Sequence, residues 1–236
     1  MIYIGTAGWG IPTRLSEKFP GQGTHLERYA RILNCVEINS SFYKLHKPET
    51  YEKWARLTPQ NFRFSVKLSR YFTQEARLGD TSSLLNETLD GISQLGNKWA
   101  VLLVQLPPSL LFDQNVAAKF FRRLCSLCPQ PITLEPRHIS WTSEQAIDLL
   151  ADYQISKVIA DPEPVFLAPE KCKGLSKILY YRLHGSPEIY KSSYSSDYIK
   201  SMRDQMSEYS KKNVWCIFNN TTLVFANENA IELQEL

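Results

Sequence analysis

The feature that most constrains this chain is an alternation. Short runs rich in Val, Ile, Phe and Tyr occupy residues 2–5, 35–38, 62–68, 99–106, 132–135, 157–160, 178–183 and 214–218. Helical spacing fills most of the intervals, at 25–33, 48–57, 81–95, 115–127, 142–153 and 195–211, with a short closing helix at 229–236. In 25–33, Leu26, Tyr29, Ala30 and Leu33 share one face, and Pro48 followed by Glu49 suits a first helical turn. Asp80 reads as an N-cap for the helix from Thr81. Strands separated by helices run parallel, because a crossover of that length returns the chain to the same end of a sheet. Eight such units in 236 residues predict a (β/α)8, TIM-barrel-like single domain over 1–236, close to the usual ~250 residues. An open doubly wound sheet is the alternative. Against it, no G-x-G-x-x-G follows the first run and no G-x-x-x-x-G-K-[ST] occurs anywhere. The sixth crossover, 162–177, carries Pro162, Pro164 and Pro169 and is expected to be irregular, with a short or missing helix.

Composition narrows the setting. A chain 43% hydrophobic and 22% charged is globular rather than disordered. No apolar run approaches the ~18 residues of a membrane span, and the start, Met1-Ile2-Tyr3-Ile4-Gly5, has no basic stretch ahead of an apolar one. A cytoplasmic protein without a membrane partner is expected. Net charge +3 permits an anionic partner but falls short of a dedicated nucleic-acid binder. Five cysteines, an odd number, do not read as a disulfide framework. Cys125 and Cys128 form a C-x-x-C at the end of a helical pattern rather than its start, and read as packing residues. A closed barrel leaves no free strand edge, so a monomer is expected.

Function should lie where barrels of this kind place it, at the C-terminal ends of the strands. Each run is therefore read for its last residues. Trp9 follows the first, and Glu37 and Asn39 end the second. Lys67 ends the third, Gln105 the fourth, and Glu135, Arg137 and His138 the fifth. Asp161 ends the sixth, Arg182 and His184 the seventh, and Asn219 and Asn220 the eighth. A parallel strand is covered on both faces, so such side chains are buried or line the mouth. Unpaired, each buried charge would cost several kcal/mol, so they must meet one another, a ligand or a metal. The period of two puts Glu37 with Asn39, Glu135 with Arg137, and Arg182 with His184 on shared faces. Trp9, Tyr43 and Trp141 follow strands 1, 2 and 5 and read either as core packing or as a stacking wall for a sugar or base.

Several stretches together resemble one family. They are Gly5-Thr6-Ala7-Gly8-Trp9, residues 36–43 (VEINSSFY), Val104-Gln105-Leu106-Pro107-Pro108, residues 135–141 (EPRHISW), Arg182-Leu183-His184-Gly185 and Phe218-Asn219-Asn220. In this order they are similar to the YecE-like family, a domain of unknown function with a TIM-barrel-like fold. The likeness runs the length of the chain. It implies the fold. For activity it implies only an analogy to metal-using barrels of the endonuclease IV and xylose isomerase type, hence sugar-phosphate or nucleic-acid chemistry. Two positions depart from the family pattern: Thr221 stands where Asp is usual, and Val224 where Gly is common.

Three readings of function follow. The first is an enzyme acting on an anionic, phosphate-, sugar- or nucleotide-like substrate. Its catalytic candidates are Glu37, Glu135, His138, Asp161 and His184. Its substrate-binding candidates are Trp9, Asn39, Tyr43, Lys67, Gln105, Arg137, Trp141, Arg182, Asn219 and Asn220. Glu37 or Glu135 would serve as base, His184 as acid or orienter, and Arg137 with Arg182 as an anion clamp. No cofactor is named by the sequence. A divalent metal on Glu37, Glu135, Asp161 and His184 is a minor variant, because Lys67, Arg137 and Arg182 would compete for the same carboxylates. The second reading is a nucleic-acid binder that uses Lys44, His46 and Lys47 with Tyr190, Lys191 and Tyr194. The third is a scaffold that binds a ligand and releases it unchanged.

Overall fold

The computed structural model describes residues 1–79, 82–164, 178–209 and 211–236. Among the described residues nine strands are formed: β1 (Ile2–Thr6), β2 (Cys35–Ile38), β3 (Arg63–Lys67), β4 (Trp99–Gln105), β5 (Ile132–Glu135), β6 (Ser156–Lys157), β7 (Ile159–Asp161), β8 (Ile178–Leu183) and β9 (Asn213–Phe218). They alternate with α1 (His25–Tyr29), α2 (Pro48–Arg56), α3 (Ser83–Ser93), α4 (Gln114–Leu127), α5 (Glu144–Asp152), α6 (Ser196–Ser207) and α7 (Phe225–Glu235). Every strand pair is parallel, as the crossovers require. One sheet has the order β1-β9-β8-β7, the other β2-β3-β4-β5-β6. The chain is thus an α/β fold of two parallel sheets with helical crossovers.

The sixth predicted strand is divided. Ser156 and Lys157 pair with β5, while Ile159 to Asp161 pair with β8, so the chain passes from one sheet to the other across Val158. The Val158 N–H still donates to the Leu134 carbonyl at 2.8 Å. The opposite seam, between β1 and β2, has one backbone bridge, Ala7 beside Glu37, with Gly8 N–H donating to the Glu37 carbonyl at 2.9 Å. Side chains replace the rest of that ladder. Asn34 accepts from Ile4 N–H at 2.8 Å and donates to the Ile2 carbonyl at 2.9 Å. The Tyr29 hydroxyl accepts from Thr6 N–H at 2.8 Å and donates to the Cys35 carbonyl at 3.0 Å. The backbones come so close here that a Cβ at Gly5 would run into that carbonyl.

Strand alternation sorts the core into two layers. Cys35, Val101, Leu103, Val158, Ala160, Ile178, Tyr180, Trp215 and Ile217 pack together on the strand faces turned away from the helices. The alternate residues, such as Val36, Phe64, Val66, Leu102, Leu134 and Phe218, pack under the helices.

Helix boundaries follow local chemistry. Thr24 and Glu27 form a reciprocal capping box at α1, and Asp113, Ser143 and Ser195 cap α4, α5 and α6. Helix α1 stops at Tyr29, four residues short of the periodic pattern, because the next N–H groups bond three residues back, as in Arg31 to Arg28 and Ile32 to Tyr29. Ser82 caps α3, and Asp80 and Thr81, where the expected cap and start fall, lie outside the described residues. The closing helix begins four residues earlier than its apolar pattern, since buried Asn227 and Asn229 interrupt that pattern while serving as polar anchors. The expectation about the sixth crossover falls largely on residues 165–177, outside those described.

Candidate active site

The layer facing away from the helices turns from apolar to charged toward the C-terminal ends of the strands. At its base the Tyr180 hydroxyl donates to Glu37 Oε2 at 3.0 Å and lies 2.8 Å from Ser65 Oγ, whose own proton can complete that bond. Two residues further along β8, Arg182 reaches across to the other sheet. Its Nε and Nη2 bind Glu37 as a fork, at 2.9 and 2.6 Å, and its Nη1 binds Glu135 Oε2 at 2.7 Å. The second oxygen of Glu135 accepts from Gln105 at 3.1 Å and from Arg137 Nη2 at 3.0 Å. His184 stands above, with Nε2 3.3 Å from the same oxygen but outside hydrogen-bond alignment. Its Nδ1 lies 3.0 Å from Asn219 Nδ2, within hydrogen-bond distance.

Electrostatics sort these groups into two kinds. Burial alone would raise the Glu135 carboxyl, but Arg182, and then His184 and Arg137, hold it well below the usual carboxylate range. Burial would likewise lower Arg182, yet Glu37 and Glu135 keep it firmly protonated. Burial, and then Glu37, push the Tyr180 hydroxyl well above its ordinary value, so it stays a donor. Lys67 differs. Burial first, and then Arg182, bring its ammonium down to about 7 against the pull of Glu37 and Glu135. Its Nζ lies 3.7 Å from the centre of the Phe42 ring. Exposure is graded: Arg182 and Glu37 are 0% accessible, Lys67 and His184 4%, Gln105 and Asn219 6%, and the Arg137 side chain 24%. The cluster therefore has a sealed floor and an upper tier that touches solvent.

The loop after β8 roofs one side. Gly185, at φ 96°, turns the strand end where a Cβ would crowd the Ser192 carbonyl, and its N–H donates to the Tyr194 hydroxyl. The Tyr190 ring stands at a right angle to His184, with ring centres 5.7 Å apart, and helps hold the Arg137 guanidinium charged. A cavity of about 390 Å³, which none of these charged side chains lines, is bordered by Gly8, Ile11, His25, Thr221, Val224 and Asn227 among others. Both departures from the family pattern thus border one space.

Eight of the expected residues meet in this cluster: Glu37, Lys67, Gln105, Glu135, Arg137, Arg182, His184 and Asn219. Others lie elsewhere, for reasons that strand geometry supplies. Asp161 is on the helix side of β7, because Ala160 takes the opposite face; it neighbours Tyr194 and Tyr198. Asn220, adjacent to Asn219, also points outward, donating to the Ser192 carbonyl and to Asn229. Trp141 is core rather than a stacking wall: it is 1% exposed, donates to the Leu110 carbonyl and packs on Phe112 and Phe121. His138 caps the turn Ile139–Thr142 with Nδ1 on Ser140. Trp9 packs edge-on to Trp54 and lines a separate 470 Å³ groove with His25, Lys47 and Lys53. Tyr43 is 70% exposed and touches Phe42, the ring beneath Lys67. Asn39 is half-buried, and its Oδ1 has no hydrogen-bond partner among the described residues.

Tyr180 and Ser65 were not anticipated, although each sits two residues before an expected site residue on the same face. No group of three His, Cys, Asp or Glu side chains among the described residues could hold a metal, and Arg182 fills the space between the two carboxylates. The Cys125 and Cys128 thiols are raised by burial to about 11 and 12, which makes them poor nucleophiles. Among the described residues no helix is long and apolar enough to cross a membrane.

The likeness to known proteins is consistent along the chain. The chain is 38% identical over 175 residues to the UPF0759 protein YecE of Escherichia coli K12, a match covering 71% of this chain. It spans 62% of the length of that relative. It is 27% identical to the UPF0759 protein YunF of Bacillus subtilis, over all of this chain and 94% of that one. Crystal structures of DUF72 family proteins from Thermotoga maritima and Enterococcus faecalis superpose over the whole chain, each with TM-score 0.79, at 22% and 21% identity and covering 98% and 94% of those chains. The profile of the family described as "protein of unknown function DUF72" matches residues 3–236, and the chain belongs to that family.

Proposed function

We propose that residues 1–236 form one (β/α)8 barrel, closed at the Val158 handover and the β1–β2 seam, and that it is an enzyme acting on an anionic substrate at the C-terminal mouth. The cross-sheet bonds from Arg182 and Tyr180 to Glu37, Ser65 and Glu135 support closure. One observation carries the substrate class. Two carboxylates, Glu37 and Glu135, are bound by two guanidiniums, Arg182 and Arg137, and Lys67 beside them, whenever it is protonated, adds a positive charge that none of these carboxylates pairs. A phosphate or carboxylate entering there completes the charge balance, with the partly exposed Arg137 as its first guanidinium contact. Glu135, already held ionised by its cations, is a weak base, so Glu37 and Glu135 act as positioning residues. His184 and Lys67 are the groups left to handle protons.

A thermal-shift panel of sugar phosphates, nucleotides and their unphosphorylated counterparts tests this reading. Stabilisation by phosphorylated members only, lost in Arg137→Ala, is expected. Equal shifts for both sets, or shifts that survive in Arg137→Ala, would overturn it. Turnover of a stabilising compound separates an enzyme from a scaffold. A nucleic-acid ligand is the second reading, favoured by exposed Tyr43 beside Lys44 and Lys47. It predicts steep salt dependence for a short single-stranded oligonucleotide. It has lost Tyr194, which is 6% exposed and stacked on Tyr198.

A further inference from the structure

Three described lysines are buried, and two are fully engaged. Lys98 Nζ donates to the carbonyls of Ala55 and Thr58. Lys157 Nζ donates to the Val158 carbonyl and pairs with Glu163 at 3.0 Å. Lys67 has neither kind of partner: among the described residues no carboxylate lies within ion-pair distance of its Nζ and no acceptor bonds it. Its Nζ lies over the face of Phe42, 3.7 Å from the ring centre.

Its backbone is firmly placed. The Ser41 hydroxyl donates to the Lys67 carbonyl at 2.6 Å, and the next N–H, of Leu68, donates to the Leu103 carbonyl at 2.8 Å. The nearby carboxylates are already committed to Arg182 and Arg137, so an ammonium here would be surplus positive charge. A desolvated amine beside other cations is how lysine becomes a nucleophile at neutral pH.

We propose that Lys67 is an amine nucleophile that condenses with the carbonyl carbon of an anionic aldehyde or ketone to form a Schiff base. The inference rests on the mouth reading above and names the substrate class: a compound with both a carbonyl and an acidic group. The neutral Nζ lone pair forms the C–N bond while the carbonyl π pair moves to oxygen. A proton passes from nitrogen to that oxygen, giving a carbinolamine. The C–O bond then breaks, the nitrogen lone pair forms C=N, and the hydroxyl leaves as water by taking up the second proton of the amine. No oxidant or reductant is needed. Phe42 holds the amine against the site, and Arg137 meets the anionic end.

Wild-type protein is treated at pH 7 with pyridoxal 5′-phosphate or with uncharged glyceraldehyde, each with cyanoborohydride, and modified lysines are mapped by peptide mass. At that pH a surface lysine is neutral about once in ~10³ molecules, so Lys67 should be labelled at least ~10-fold faster than any surface lysine. Faster labelling by pyridoxal phosphate than by glyceraldehyde supports both the amine and the anion site. Equal rates at Lys67 support the amine and remove the anion reading. Labelling of surface lysines with Lys67 untouched by both reagents overturns the inference. Lys67→Arg, which supplies no nucleophilic amine, should lose the fast-labelled peptide and no other.

Discussion

Arg182→Met removes the group on which the charged cluster is built. The guanidinium is 0% exposed and makes three charge-assisted bonds, two to Glu37 and one to Glu135. Each such bond contributes roughly 1.5–3 kcal/mol, and they are not additive because they share one group. Removing one partner of a buried ion pair costs about 3–5 kcal/mol, since the remaining charge stays buried. That is a large part of the ~5–15 kcal/mol typical of a folded protein. The pH dependence gives a second signature. In the wild type, the Glu135 carboxyl lies well below the ordinary carboxylate value of 4.5, so its contribution is present above about that pH and lost as pH falls through the depressed value. In the variant, protonation of the stranded carboxylates relieves buried charge, so stability should rise as pH falls from 7 toward 5. Urea unfolding followed by tryptophan fluorescence at both pH values reads this directly. Glu37→Gln in the Arg182→Met background should recover part of the loss at pH 7. A loss under about 1 kcal/mol at pH 7, or the same pH slope in both proteins, would refute the picture of a desolvated, mutually compensated cluster.

Other consequences follow from the same geometry. Between about pH 7 and 10.5 the unfolded chain carries a proton at Lys67 that the folded chain lacks, so wild-type stability should rise across that window. Lys67→Met should flatten that rise and gain a few kcal/mol below pH 7, as measured by urea unfolding across the range. Val224 sits at φ 61°, in the left-handed region that costs a β-branched residue roughly 1–2 kcal/mol. Val224→Gly should therefore stabilise by up to about 1 kcal/mol after the entropy of glycine is counted, and a comparable loss in thermal unfolding would contradict that. Tyr29→Phe leaves the buried Thr6 N–H and Cys35 carbonyl without the hydroxyl that joins them. It should cost about 2–3 kcal/mol, with faster amide exchange along β1.

Much of the cluster was legible because strands repeat every two residues. Glu135 with Arg137, and Arg182 with His184, could share a face only if all four turned to the same side, and they do. The same rule explains what was misplaced. Asn219 and Asn220 are adjacent, so a strand cannot send both into one mouth. On the sixth run the apolar pair Val158 and Ala160 fixes the inner face and so sends Asp161 outward. Tyr180 and Ser65 were readable by stepping back two residues, but a Tyr and a Ser within apolar runs carry no charge to draw notice. The β1–β2 seam was not readable. Asn34 and Tyr29 lie outside the strands, and their partners depend on how two backbones approach in space. Trp141 belongs to the same class, since only packing separates a core indole from an exposed one.

The surplus cation is measured most directly at Lys67 itself. Heteronuclear NMR can follow its side-chain amine from about pH 6 to 11, with and without inorganic phosphate. An inflection near 7 that moves upward when phosphate is present is expected, because a bound anion favours the ammonium. An inflection above 10 that phosphate leaves in place would contradict the charged, anion-receiving mouth.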